Sequence, residues 1–379
     1  MKIAFILPHF YPYVGGAETL FYNLAKNLVA RGHEVRAVAE TVDDEHRGHV
    51  KLDGIDVWYC DWKSAFGHPF PKTKDIEPHV AWCDLVHTSP FTTAPVVSRL
   101  AKKYNKPSVM TVYEVRGRKW FWSDVVFRAL IYYAVEQYTC RQQFDAYHAI
   151  SEATRKDMLH YCGKKRDVRR IYLANEMGTE KSPANPDFSI RKFFKVKDEF
   201  IFLYYGRPGR TKGVYVYEKA ICRLKKKGVD LSNVRFCFLL GKEPEKPRRE
   251  FLNRMRDDGL RGVVRVRPSL PKEDLAACIR QADCVVVPSL TEGFGFSALE
   301  TCQSGTPLIH SDAGSLPEVA YGRCASFRNR HVKELADRLE AVIRGDEDAF
   351  TEIPEKTFSL ESMLDEMEEL YAETIEKKC

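Results

Sequence analysis

A near-continuous apolar run, Lys2-Ile-Ala-Phe-Ile-Leu-Pro8, passes through a loop holding Gly15 and Gly16 into a stretch with apolar residues at Leu20, Leu24, Leu28 and Val29. A strand that is apolar at successive positions has both faces covered, which points to a parallel sheet flanked by helices. The following stretch is amphipathic by its spacing and ends at Arg31-Gly32, a cation followed by the residue that most easily leaves a helix. The same unit recurs along the chain. Glu34–Glu40, Ile55–Cys60, Asp84–Thr88, Ser108–Val112 and Ala146–Ile150 read as strands, with helices near 94–104, 123–143 and 152–161. Strands alternating with helices predict a doubly wound parallel α/β sheet. The first loop is not G-x-G-x-x-G, so a dinucleotide-dependent dehydrogenase gains little support.

At 379 residues the chain exceeds what one core usually supports, and two domains of roughly 150–200 residues are expected. Arg169–Asn175 reads as the last strand of the first, and Ser182-Pro-Ala-Asn-Pro-Asp187 suits a linker, since two prolines in a polar stretch favour neither helix nor strand. Phe200-Ile-Phe-Leu-Tyr-Tyr205 opens a second series, with strands at 235–240, 264–266, 284–288 and 306–310 and a helix over 272–282. The expected organisation is a first domain over 1–181, a linker over 182–190, a second domain over 191–357 and a terminal amphipathic helix within 358–379.

Hydrophobic content of 44% and charged content of 30% are ordinary for a folded globular protein. The net charge of +6 is mild and argues against a nucleic-acid partner, while leaving an acidic or membrane-surface partner open. No stretch approaches the roughly 20 apolar residues of a spanning helix, and Pro8 cuts the first run too short for a signal peptide, so a cytoplasmic location is expected. Eleven scattered cysteines without a C-x-x-C pair read as reduced core residues.

Chemistry concentrates in two loops of the second series. Val285-Val-Val-Pro288 is followed by Ser289-Leu-Thr-Glu-Gly-Phe-Gly-Phe-Ser-Ala-Leu-Glu300, a buried strand, a glycine-bearing loop and a helix from about Phe296 to Ser304. Without Cβ atoms, Gly293 and Gly295 let backbone N–H groups approach a phosphate or a sugar hydroxyl, and the helix N-terminus points positive charge at the same place. Glu300, one turn in, is placed to accept hydrogen bonds from a diol, as a carboxylate does for a ribose. In Gly206-Arg-Pro-Gly-Arg-Thr-Lys-Gly213, Arg207 and Lys212 lie at a strand's carboxyl end, where a basic pair can hold a diphosphate.

A Glu pair at this spacing alone is weak evidence. Glu292-Gly-Phe-Gly-Phe-Ser-Ala-Leu-Glu300 with Gly305-Thr-Pro-Leu-Ile-His-Ser-Asp-Ala-Gly-Ser-Leu-Pro-Glu318 after it resembles the retaining nucleotide-sugar glycosyltransferases of family 4. The Gly-Arg-x-x-x-x-Lys-Gly spacing matches the same family's diphosphate motif. The resemblance implies the GT-B fold, two Rossmann-like domains facing a central cleft, with the terminal helix crossing back to the first. It implies that Glu292 touches the transferred sugar, that the amides of Gly293, Phe294 and Gly295 touch sugar and diphosphate, and that Glu300 holds the ribose. It also implies that Gly15 and Gly16 let an acceptor or donor phosphate come close. Catalysis then falls to Arg207, Lys212 and Glu292.

Other candidates have two readings. His87 and His148 lie where relatives often carry cleft residues, and a satisfied buried histidine explains each nearly as well. Where many relatives have a sugar-contacting His, this chain has Tyr113 followed by Glu114; a tyrosine can hydrogen-bond a hydroxyl but cannot act as an imidazole. Asp346-Glu-Asp348 superficially resembles a metal motif and reads as a solvated turn; no obligatory metal or cofactor is expected. Arg116, Arg118, Lys119, Trp120 and Trp122 precede an apolar helix, so this stretch is either an exposed basic loop on a core helix or an element that meets anionic lipid headgroups.

The expected activity is transfer of a hexosyl unit from a UDP- or GDP-sugar to a hydroxyl of a glycan or lipid-linked acceptor, with retained configuration. Two rivals are a sugar-nucleotide 2-epimerase of the same fold and a non-catalytic partner subunit. Tyr113 weighs against the first, and the intact set Arg207, Lys212, Glu292 and Glu300 against the second.

Overall fold

The computed structural model describes the whole chain except residues 14, 66–67, 124–125, 176–182, 242–244 and 379, and the side chains of 65, 68, 122 and 123. Two compact units are present: Met1–Leu173 with Ser359–Cys379, and Ala174–Phe358.

The first unit holds an eight-stranded sheet in the order Val168–Arg170, Ala146–Ala149, Ser108–Val112, Leu85–Thr88, Lys2–Ile6, Glu34–Glu40, Ile55–Cys60, Gly48–Leu52. Lys2–Ile6 pairs in parallel with a strand on either side, so the loop that carries Gly15 and Gly16 leaves the sheet where strand order reverses. That is the position at which open α/β sheets bind ligands. The second unit's sheet runs Val264–Pro268, Val234–Leu240, Phe200–Gly206, Cys284–Val287, Leu308–Ser311, Gly322–Phe327, Thr351–Ile353. Its reversal falls between Phe200–Gly206 and Cys284–Val287, which pair in parallel.

Each sheet departs from the wholly parallel expectation at one edge. Gly48–Leu52 runs antiparallel to Ile55–Cys60, and Thr351–Ile353 antiparallel to Gly322–Phe327. Asp53 and Gly54, both at positive φ, form a two-residue turn between Leu52 and Ile55, a hairpin signal that the polar strand before it hides. The strand expected over 169–175 is confined to Val168–Arg170. The long helix expected over 123–143 is present as Trp120–Ser123 and Val126–Cys140, with residues 124–125 outside the described ones.

The stretch read as a linker is fastened to the second unit. Asn185 bonds Asp274 at 2.7 Å, and the Ile190 amide donates to Gln281 at 3.0 Å, so polar side chains fix what composition suggests is loose. Ser182 and the six residues before it lie outside the described residues. The ten described cysteines are free thiols, most of them buried.

The terminal helix Leu360–Glu376 belongs to the first unit. Ser359 caps it by accepting from the Ser362 amide at 3.0 Å, and Met363, Leu364, Met367, Leu370 and Tyr371 form its buried stripe. Fully burying such side chains contributes about 1.5–3 kcal/mol each, more than the surface ion pairs from Arg31 to Asp365 and Glu368 can supply.

Tyr371 also closes a buried polar chain. Its hydroxyl lies 2.6 Å from His87 Nδ1, His87 Nε2 lies 2.8 Å from Thr111 Oγ1, Thr111 Oγ1 lies 2.9 Å from His148 Nδ1, and His148 Nε2 lies 3.0 Å from the Ile171 carbonyl. A carbonyl only accepts, which fixes every proton when both rings are neutral. His148 Nε2–H donates to Ile171, Thr111 donates to His148, His87 Nε2–H donates to Thr111, and Tyr371 donates to His87. Burial enforces neutrality, pushing His148 down to about 4 and His87 well below its ordinary 6.5, with the neighbouring His148 adding to the effect on His87.

Two outcomes follow from this chain. Tyr371→Phe strands the His87 Nδ1 acceptor and is expected to lower unfolding free energy by about 1–3 kcal/mol in urea titrations, whereas Arg31→Ala changes it by less than about 1 kcal/mol. The unfolded histidines take up protons near pH 6.5 while folded His148 does so only near 4, so the unfolded state binds more protons in that window. Stability should therefore fall as pH drops from about 6.5 to about 5, with His79 and His310, also depressed by burial, acting in the same direction. Carboxylates held low by their partners, such as Glu368, contribute their loss only at lower pH. Urea midpoints that are flat between pH 7 and pH 5 would refute the neutral chain.

Candidate functional site

Parallel pairing of Phe202 with Cys284 and Leu203 with Val285 sets the loops that leave these two strands side by side. The 207–213 loop and the 288–295 loop then lock together. The Leu290 amide donates to the Thr211 carbonyl at 2.7 Å. Gly213 has φ +69°, and a Cβ there would sit 1.6 Å from the Pro288 carbonyl oxygen, so no other residue lets the loops approach this closely. Gly314 does the same on the other side of the second loop, since its Cβ would meet the Glu292 carbonyl oxygen at 2.1 Å. The amide and hydroxyl of Ser315 each reach that oxygen at 3.3 Å. The Glu292 backbone is thus held from two directions, and its side chain is left to the site.

That side chain forms a bidentate pair with Lys212, whose Nζ lies 2.9 Å from both carboxylate oxygens. Both groups are mostly shielded, with side-chain exposures of 28% for Lys212 and 13% for Glu292. A salt bridge so placed keeps an ammonium and a carboxylate ready for a ligand that can exchange one partner for another. Arg207 is exposed, and its guanidinium has no hydrogen-bond or ion-pair partner among the described residues.

Gly295, at φ +99°, starts the helix Phe296–Gln303, whose first N–H groups lack intrahelical acceptors and carry the positive end of its dipole. Phe294 is buried, its ring edge-on to Phe296 at 5.1 Å and Phe358 at 5.8 Å. Its ring anchors the loop, so only its backbone is available to a ligand. Glu300 lies one turn into the helix, with the Tyr205 hydroxyl 3.0 Å from its carboxylate and 2.7 Å from the Ser297 carbonyl. Burial raises the Glu300 carboxyl to about 7, against the opposing pull of Tyr205, Lys272 and Lys212. The side chain keeps some solvent-facing surface, but the groups packed around its carboxyl leave it poorly hydrated. A carboxylate so desolvated gains more than an exposed one from new hydroxyl donors.

In the first unit, Gly15 is extended at the helix start, and a Cβ there would press on the flexible end of Glu18, whereas nothing crowds Gly16. Burial, with Glu18 nearby, pushes Tyr113 well above 10 although it bonds Ser89, so it stays a neutral hydroxyl. Glu114 pairs with Arg116 at 2.9 Å. His87 and His148 are fully buried with both ring nitrogens engaged, which is the core reading of each and not the sugar-contacting one.

Around the basic stretch, Lys119 pairs with Asp157 at 2.8 Å and Arg118 is exposed. Trp120 stacks on Tyr132 at 5.0 Å beneath the Arg116 guanidinium, held against the protein and not projected as an anchor. The Trp122 side chain lies outside the described residues. Asp346 precedes a single turn, Glu347–Ala349, whose two acids are exposed and which lies away from the 207–213 and 288–295 loops in sequence.

Sequence reasoning missed Tyr205, Lys272 and Glu18. Tyr205 had a signal, a hydroxyl-bearing residue next to last in an otherwise apolar strand. Lys272 comes from 28 residues before Glu300 in sequence, and nothing local announces it.

The family model for Glycosyltransferase Family 4 matches residues 14–174, and that for Glycosyl transferases group 1 matches residues 186–352. A D-inositol 3-phosphate glycosyltransferase of Paenarthrobacter aurescens is 35% identical over 147 residues, covering 38% of this chain and 35% of that protein. One human phosphatidylinositol N-acetylglucosaminyltransferase subunit is 23% identical over 356 residues, covering 90% of this chain and 68% of that protein. Among solved structures, sucrose-phosphate synthase from Thermosynechococcus elongatus matches with a TM-score of 0.79 at 19% identity over 98% of each chain. HepE of Anabaena, solved with UDP-glucose, matches with a TM-score of 0.72 at 17% identity over 100% of each chain. The two family models lie one after the other along nearly the whole chain, which belongs to the glycosyltransferases and has their GT-B fold.

Proposed function

We propose that the protein is a retaining hexosyltransferase that takes a sugar from a nucleoside diphosphate and delivers it to a hydroxyl of a glycan or a lipid-linked acceptor. The observation that carries this reading is the convergence of Lys212, Glu292 and Glu300 at the N-terminus of the helix Phe296–Gln303. These groups match what a nucleotide sugar presents: a diphosphate, a sugar with several hydroxyls and a ribose.

On binding, the diphosphate draws Lys212 away from Glu292, and the freed carboxylate turns to the sugar hydroxyls. Arg207, exposed at the mouth of the loop, adds a second cation. Charge grows on the diphosphate as the glycosidic bond breaks, and Lys212, Arg207 and the helix N-terminus offset it without an obligatory metal or other cofactor. No side chain in the donor site is assigned as a nucleophile. The acceptor hydroxyl attacks from the face the nucleotide leaves, and a donor phosphate oxygen takes its proton, so positioning and charge carry the rate. Gly15, Gly16, Tyr113 and Glu114 of the first unit serve the acceptor side or the donor phosphates. The reaction belongs in the cytoplasm, at the inner face of a membrane when the acceptor is lipid-linked.

Calorimetry and free-nucleotide release across UDP-, GDP- and ADP-sugars test the reading directly. Selective binding of one of them supports it, and binding of none sinks it. Lys212→Ala is expected to lower kcat by about 10²–10³-fold, the usual loss when one group stabilising transition-state charge is removed.

The titration of Glu300 gives a separate outcome. The ribose-accepting form is the carboxylate, and burial places its protonation at about 7 in the free protein. Donor affinity should therefore weaken as pH falls, by roughly tenfold between pH 8 and pH 6, while Glu300→Gln binds weakly at both. A wild-type affinity independent of pH in this window would remove Glu300 from the ribose.

A further inference from the structure

The helix Val126–Cys140 is built inside out. Its buried positions include Glu136, Gln137 and Thr139, while Val126, Phe127, Leu130, Ile131 and Tyr138 face outward at 68%, 74%, 51%, 47% and 61% exposure. At 100° per residue Phe127, Leu130, Ile131 and Tyr138 fall within one arc of about 100°, opposite buried Ala129, Glu136 and Thr139, while buried Gln137 lies at the edge of that arc beside Val126. Glu136 has a structural task, since its carboxylate accepts from the Arg116 and Gly117 amides at 2.8 and 2.7 Å and caps the preceding turn. Nothing in the helix requires the apolar residues to be outside. A contiguous apolar face of this size on a soluble surface marks a contact with something apolar.

Charge decides what that contact is. Between residues 114 and 142 the exposed charges among the described residues are Arg118, Arg128 and Arg141, while Arg116 pairs with Glu114 and Lys119 with Asp157. At the far end, Arg141 and Gln142 line a cavity of about 980 Å³ whose wall carries exposed Lys102, Lys164 and Lys165. The acids of that wall are matched, Asp145 by Lys378 at 2.8 Å and Asp167 by Lys377 at 2.8 Å. An apolar face with cations at both ends is repelled by a second copy of itself and complemented by an anionic bilayer, where apolar side chains enter the acyl region and basic ones meet phosphate.

We propose that the protein docks on anionic lipid bilayers through the outward face of Val126–Cys140, with Arg118 and Arg128 at one end and the lysine-lined cavity beside Arg141 at the other taking headgroup phosphates. Only the use of a lipid-linked acceptor rests on the transferase reading; the docking itself does not. The surface differs from the one expected from the tryptophans, since Trp120 is packed against Tyr132.

Flotation with phosphatidylcholine vesicles, with and without about one third phosphatidylglycerol, tests it on the full chain. Wild type is expected to float with the anionic vesicles, at least tenfold more than with neutral ones, and less as salt rises. Phe127→Glu with Ile131→Glu should abolish flotation while leaving the circular dichroism spectrum and nucleotide-sugar binding unchanged. Phe127→Trp should show a blue-shifted emission on the vesicles. Absence of wild-type flotation overturns the proposal, as does a sedimenting dimer that the glutamate variants dissociate. Donor binding that fails while flotation persists would count against the transferase reading alone.

Discussion

The candidate site depends on one parallel pairing, that of Phe200–Gly206 with Cys284–Val287. These strands are about eighty residues apart in sequence, and only their adjacency brings the Lys212 loop against the Glu292 loop. The pairing alone leaves the loops free to diverge. Gly213 against the Pro288 carbonyl and Gly314 against the Glu292 carbonyl remove that freedom, since each approach excludes a Cβ. The rigidity matters because a charged group that must reorganise when a ligand arrives loses part of its electrostatic advantage. Here the backbones are fixed and only the ends of two side chains are left to exchange partners.

A second fixed network lies in the first unit and does the opposite kind of work. Tyr371, His87, Thr111 and His148 satisfy each other in one direction, ending on the Ile171 carbonyl. Each member has its proton placed by the next, so no ring is left to exchange protons with a ligand. Histidines in a glycosyltransferase invite a catalytic reading, but these two join the terminal helix to the sheet beneath it. Glu300 shows the contrast. It is also desolvated, but its carboxylate has capacity left for hydrogen-bond donors beyond Tyr205, so under the proposed ribose role its raised protonation point would couple to a ligand and not only to folding.

Legibility followed the range of the interactions. The glycines, the Glu292 and Glu300 spacing and the Arg207 and Lys212 spacing are local, and each fell on a loop at a strand's carboxyl end or, for Glu300, in the helix that follows it, as the α/β pattern required. The antiparallel edge at Gly48–Leu52 was passed over because the strand is too polar to read as one, although the Asp53-Gly54 turn after it is a hairpin signal. Tyr205, Lys272, Gly314 and Ser315 enter from other elements, and their roles arise only from sheet order. The attachment of the linker was not legible for a related reason: Asn185 looks like a loop residue until Asp274 is placed opposite it.

Helix Val126–Cys140 marks the limit of pattern reading most clearly. Its sequence is rich enough in apolar residues to be taken for a core helix, and an apolar run does not say which side is covered. The deciding residue is Glu136. Once its carboxylate is committed to the Arg116 and Gly117 amides, the helix must turn that face inward, and geometry carries Phe127, Leu130 and Ile131 outward. Capping a turn at the neck of the helix thus fixes the rotation of its whole length. In water alone that rotation leaves large apolar side chains hydrated, an arrangement that becomes favourable when the outward face has an apolar phase to enter and the flanking arginines have phosphates to meet.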